Sequence, residues 1–93
     1  MYKAKLISST KEKFEEFHNK EGIFLNSQDG IITLLSEDTK TKQVFLQTPI
    51  ILHFEIIDNF LIIQTFNGFF SFEFLGNKIP EIKISEVAKL LLN

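Results

Sequence analysis

The sequence predicts an α+β, mainly β domain: an antiparallel meander of about six to seven strands, curled as a small roll or barrel, with one short helix after the first strand and one at the C-terminus. Three observations predict it. Short runs of β-favouring residues, several alternating apolar with polar, recur along most of the chain, the pattern of half-buried strands. Clusters of Gly, Asn, Asp and Ser separate these runs at short intervals, which favours antiparallel neighbours. Apolar residues at helical spacing appear only near residues 11–19 and 85–92.

The first run, Tyr2 to Ser8, alternates Tyr2, Ala4 and Leu6 against Lys3, Lys5 and Ile7, and reads as a strand. Ser8-Ser9-Thr10 then offers a helix start. Ser9 with Glu12 fits a capping box, in which two orphan backbone donors are satisfied reciprocally. A helix from Lys11 to Asn19 would place Phe14 and Phe17 on one side, set Lys11–Glu15 and Glu16–Lys20 at i,i+4 spacing, and end at Gly22. Strand character resumes at Ile23-Phe24-Leu25, turns at Asn26 to Gly30 and returns over Ile31 to Ser36. Glu37 to Lys42 is a polar loop. Gln43 to Thr48 is a strand stopped at Pro49, which has no donor for a ladder. Ile50 to Ile57 follows, with His53 and Glu55 opposite the apolar even positions, and Asp58-Asn59 as a turn.

The strongest local signal is Asn67-Gly68 between Phe60–Phe66 and Phe69–Leu75. Asn-Gly suits a tight hairpin turn that needs positive φ at both central residues. Gly76-Asn77 ends that strand, and Lys78 to Ile84 runs extended around Pro80. Ser85 caps a helix through Leu92 with Val87, Leu90 and Leu91 on one stripe.

About seven strands followed by a helix resembles the pleckstrin-homology-like roll, in element order alone. The helix after the first strand departs from that pattern, and no binding residue carries over.

At 93 residues and 44% hydrophobic, residues 1–93 have room for one domain with one core. No apolar run approaches the ~20 residues of a membrane-spanning helix. The N-terminus lacks the apolar stretch of a secretory signal, and with no cysteine there is neither disulfide nor thiol chemistry; both point to a cytoplasmic setting. All ten basic residues are Lys, so the bidentate guanidinium contacts typical of nucleic-acid readout are absent, and the net charge is −2. The 60–75 hairpin contains no Lys, which leaves its rings without the cationic groove that stacked bases require. Nucleic acid is therefore a poor partner.

Catalytic chemistry is not apparent. His53 and Glu55 share a strand face, but nothing supplies a nucleophile or an oxyanion hole. His18 has no second metal ligand at a fixed spacing, and the isolated glycines form no phosphate cradle. We expect no enzyme activity, no metal and no cofactor. The hairpin reads as apolar on both sides, with Phe60, Ile62, Phe66, Phe70, Phe72 and Phe74 at even positions and Leu61, Ile63, Phe69 and Leu75 at odd ones. A surplus apolar face marks a protein interface. The expectation is a non-catalytic protein–protein interaction module, of the inhibitor, immunity, adaptor or subunit type. It would bind a protein partner or its own copy through an apolar sheet face or a strand edge, with Leu61, Ile63, Phe69, Leu75, His53 and Glu55 as interface candidates. The alternative is a roll or barrel binding a small ligand or lipid head group in an apolar interior near His53, with Lys40 and Lys42 available to a phosphate.

Overall fold

The fold is organised about β1 (Tyr2–Ser9), which pairs antiparallel on one side with β2 (Glu21–Asn26) and on the other with β7 (Gly68–Leu75). The computed structural model describes residues 1–37, 43–76 and 78–92. The remaining strands are β3 (Ile32–Leu35), β4 (Val44–Gln47), β5 (His53–Ile57) and β6 (Phe60–Thr65). Together they make one seven-stranded sheet in the order β4-β3-β2-β1-β7-β6-β5, antiparallel throughout. Two hairpin-connected meanders, β1–β4 and β5–β7, are thus joined through the β1–β7 pair. The mainly β, antiparallel architecture is the one predicted. The expected polar loop residues Asp38, Lys40 and Lys42, the turn residue Asn77 and the side chain of Leu91 lie outside the described residues.

The sheet does not close into a barrel: β4 and β5 end it, unpaired with each other. Residues Ile50 to Leu52, expected to open the fifth strand, instead belong to a crossing between the two ends of the sheet. Thr48 N–H donates to the Ile32 carbonyl, Ile51 N–H to Gly30 and Leu52 N–H to Gln64. Pro49, with no donor, sits where the chain leaves β4.

One face of the sheet carries the core, with Ala4, Leu6, Phe24, Ile32, Leu34, Leu46, Leu61, Ile63, Phe70, Phe72 and Phe74 all buried. Phe24 meets Phe72 and Phe74 edge-on, at centroid distances of 6.0 and 4.7 Å, the arrangement favoured by the ring quadrupole. The C-terminal segment is the cover. Ile82 enters the core, and Ile79 and Ile84 pack against it. The Asn26 side chain clamps this strap, accepting from Lys83 N–H at 2.5 Å and donating to the Lys83 carbonyl at 3.3 Å. Gly30 adopts φ +77° beneath it, and a Cβ there would stand 2.7 Å from Ser85 N.

The helix after β1 is a single 3₁₀ segment, Glu12–Phe17, shorter than expected. Ser9 remains in β1 and its Oγ accepts from Lys11 N–H, so no capping box forms. The chain must return to β2 by Glu21, and Asn19, at φ +66°, makes the reversal. In 3₁₀ geometry positions i and i+3 eclipse, so the i,i+4 pairs do not align. Gly22 does not terminate the helix. It lies within β2 opposite Ala4, where a Cβ would meet the Leu35 carbonyl oxygen at 2.7 Å. The segment still docks as the sequence implies: Phe14 tilts against Phe70 at 5.6 Å, and Phe17 stacks on Phe45 at 6.2 Å.

Ser85 does cap the C-terminal helix α1 (Glu86–Leu92), accepting from Ala88 N–H at 3.0 Å. The buried stripe differs from the expected one. Ala88 faces the protein, whereas Val87 and Leu90 are exposed at 61% and 74%.

Candidate interaction edge

The β6–β7 hairpin decides which apolar residues are available. Its two-residue loop is Phe66–Asn67, and Thr65 pairs with Gly68. The turn is therefore one residue earlier than Asn67-Gly68. Gly68, at φ +150°, starts β7, and a Cβ on it would come within 1.9 Å of Thr10 Oγ1. In this register odd positions of β6 stand opposite even positions of β7: Leu61 faces Phe72 and Ile63 faces Phe70. Both sets fill the core. The predicted surplus face built on Leu61 and Ile63 does not exist, since both are completely buried.

The other candidates lie elsewhere. Phe69 is on the opposite face, 48% exposed, its N–H donating to Thr10 Oγ1. Leu75 is half-buried at the far end of β7, opposite Lys3. His53 and Glu55 are exposed on β5, sharing the face of Gln64 and Ile62, their partners on β6. That outer face is polar in its middle: Lys5 of β1 pairs with Glu73 of β7 at 3.3 Å. Lys3 reaches Glu37 at 2.8 Å, and its ammonium is held above its ordinary pKa chiefly by the hydrogen bond and charge of that carboxylate. The six candidates are thus not one surface.

What the structure brings together instead is the free edge of β5. Ile57 and Phe60 flank the two-residue Asp58–Asn59 loop as a pair, which only mutual hydrogen bonding can form. Alternation then makes Glu55–Ile62 and His53–Gln64 hydrogen-bonded pairs too. The N–H and C=O groups of Phe54 and Ile56 must point away from β6. Among the described residues, no backbone hydrogen bond from outside the β5–β6 ladder reaches residues 53–57. Side chains reinforce this edge: Ile56 is 44% and Ile57 51% exposed, on opposite faces of one strand. Asp58, at φ +55°, closes the hairpin, and Asn59 anchors the turn by donating to the Phe74 carbonyl at 3.2 Å.

Natural sheet edges are usually blunted by Lys, Pro or a bulge. The opposite edge, β4, has such devices: its register with β3 shifts between Leu34 and Leu35, and Pro49 follows it closely. β5 has no Lys, no Pro and an unbroken register. The signal is present in the sequence as five residues, His-Phe-Glu-Ile-Ile, without Lys or Pro and with Glu55 as their single carboxylate. Their position at the sheet's end follows only from topology.

Among the described residues no three His, Asp or Glu side chains group to hold a metal ion. His18 Nε2 is buried without a hydrogen-bond partner, beside the 3₁₀ helix and 35 residues in sequence from His53. The concavities are open surface hollows; one is lined by Phe54, Ile84 and Lys89, another by Met1, Tyr2 and Leu75. None of the described helices is long and apolar enough to cross a membrane. No protein-family model matches the chain, and neither the curated proteins nor the solved structures compared with it give a match.

Proposed function

We propose that this chain is a non-catalytic protein-interaction module that engages its partner by strand addition at the β5 edge. The observation that carries the reading is the row of outward backbone groups at Phe54 and Ile56, unblunted and flanked by exposed Ile56 and Ile57. Strand addition takes its affinity from such main-chain groups and its specificity from alternate side chains. Here the outer-face side chains are His53, Glu55 and Ile57, and the inner-face ones are Phe54 and Ile56. The reading keeps a strand edge and drops the apolar face on Leu61 and Ile63. His53 and Glu55 are retained from the sequence as specificity residues.

The small-ligand alternative has less support. The space a roll would need for a ligand holds the rings of Phe24, Phe70, Phe72 and Phe74 and the strap residue Ile82.

Proline at position 56 tests the proposal. It deletes an N–H that points away from β6, so the monomer's own ladder is retained. The immobilised chain and its Ile56→Pro variant, both shown to be folded by circular dichroism, are compared for capture of partner from host lysate. The expected result is stoichiometric capture by the parent chain and none by the variant. Equal capture by both would rule out the β5 edge.

A further inference from the structure

The β5 edge has a side-chain pattern that fits a second copy of itself. Resting on the strand-addition reading, we infer that the β5 edges of two copies pair antiparallel about a two-fold axis through Phe54, joining two seven-stranded sheets into one. A two-fold axis perpendicular to a sheet sets one residue opposite its own copy, so each register is defined by the residue on the axis. Three residues of the exposed edge qualify.

An axis at Glu55 places Glu55 against Glu55 of the second copy. This is a non-hydrogen-bonded pair with the Cα atoms about 4.5 Å apart, and like charges directly opposite destabilise a ladder. An axis at Ile56 sets Phe54 opposite Asp58 and Glu55 opposite Ile57, mismatching apolar with charged groups twice on each side. An axis at Phe54 matches every position. His53 meets Glu55 of the second copy, and by symmetry Glu55 meets His53, giving two complementary pairs on the outer face. On the inner face Leu52 meets Ile56, and Phe54 meets its own copy. The outward N–H and C=O groups of Phe54 then bond those of the second Phe54. The ladder ends at Leu52 for a structural reason: the Leu52 N–H is already committed to the Gln64 carbonyl, and Ile51 is completely buried with its N–H committed to the Gly30 carbonyl. Exposed Ile56, flanked on one side by Leu61 of its own chain, gains in this arrangement an apolar neighbour on its open side.

The full-length chain is tested by sedimentation equilibrium, as parent, His53→Glu, Glu55→Lys and the double swap, with Ile56→Pro alongside. His53 and Glu55 are exposed, so the swaps leave the monomer folded, which circular dichroism checks. The parent is expected to run as a dimer. His53→Glu puts two like-charge pairs across the axis and should weaken association by about tenfold. The double swap restores it, because a carboxylate at position 53 then faces an ammonium at position 55. With the axis at Glu55 the same double swap would instead oppose two ammonium groups. A monomeric parent overturns the inference, as does a dimer indifferent to His53→Glu or not restored by the double swap. If the parent is monomeric yet captures a different protein in a manner abolished by Ile56→Pro, only the second-copy inference fails. If a dimer forms and survives Ile56→Pro, the strand-addition reading fails with it.

Discussion

Leu61 and Phe69 look alike in the sequence, both odd-numbered apolar residues of one hairpin, but the structure makes their truncations unequal. Leu61 is completely buried between Phe72 and Ile56, its cross-strand neighbours. Leu61→Ala removes three carbons, a transfer loss of about 2.4 kcal/mol at ~0.8 kcal/mol each. A residual cavity of roughly 40 Å³ adds about 1 kcal/mol. The total, about 3 kcal/mol, is a large part of the roughly 5–14 kcal/mol expected for a domain of this length. Phe69 already exposes 48% of its surface, and its backbone bond to Thr10 Oγ1 survives truncation. Phe69→Ala should cost about 1 kcal/mol, half the burial of a ring and no cavity. Urea denaturation followed by circular dichroism separates the two. With a slope of about 1.5 kcal/mol/M, Leu61→Ala lowers the midpoint by about 2 M and Phe69→Ala by less than about 1 M. Equal midpoints, or the opposite order, would refute the hairpin register and with it the dismissal of Leu61 and Ile63 as interface residues.

Three further outcomes are expected. Asn26→Ala removes the clamp on Lys83, and limited trypsin digestion should cut after Lys83 or Lys78 well before the parent chain is cut; unchanged cleavage would show that the apolar contacts of Ile79, Ile82 and Ile84 hold the strap without the clamp. Gly68→Ala forces a Cβ into Thr10 at φ +150° and should cost about 1–3 kcal/mol, read as a fall in thermal midpoint, with Thr10→Ala added to it producing less than the summed loss. The Lys3–Glu37 pair involves an ammonium whose pKa is raised on folding, so its contribution is full below the ordinary lysine value and is lost as pH rises through the raised one. Lys3→Met should therefore narrow the stability difference between neutral and strongly alkaline solution, measured by urea denaturation at each pH, and an unchanged difference would discount the pair.

How much of the fold is legible in the sequence depends on the range of the forces involved. Strand existence and order come from local alternation, and Ser85 is readable as a cap because capping is settled within one turn. The first helix departs from expectation because its length is limited by where β2 must start, a tertiary demand that shortens it to a 3₁₀ segment. The hairpin faces differ for a geometric reason. Carrying parity across the turn unchanged gives the wrong faces, because a two-residue loop between paired strands always sets odd opposite even. The stripe on α1 differs because the face turned to the protein is the one that carries Ala88, while Val87 and Leu90 are exposed, and which face of so short a helix is covered is set by tertiary contacts. The candidate edge is the least legible part. His53 and Glu55 share a face by simple alternation, but whether that strand is central or terminal depends on the β1–β7 pairing, which no window of sequence contains.

That pairing bears on how the chain is made. β1 is made before the other six strands of this sheet and is the innermost of them, yet its contact with β7 joins Lys3 to Leu75. The β1–β4 meander can assemble early, but one side of β1 stays open until β7 has been synthesised. Pairing at such separation in sequence makes folding slow and leaves an open strand side prone to association in the meantime. Lys3 and Lys5 on the outer face of β1 discourage such association until Glu73 arrives to meet Lys5.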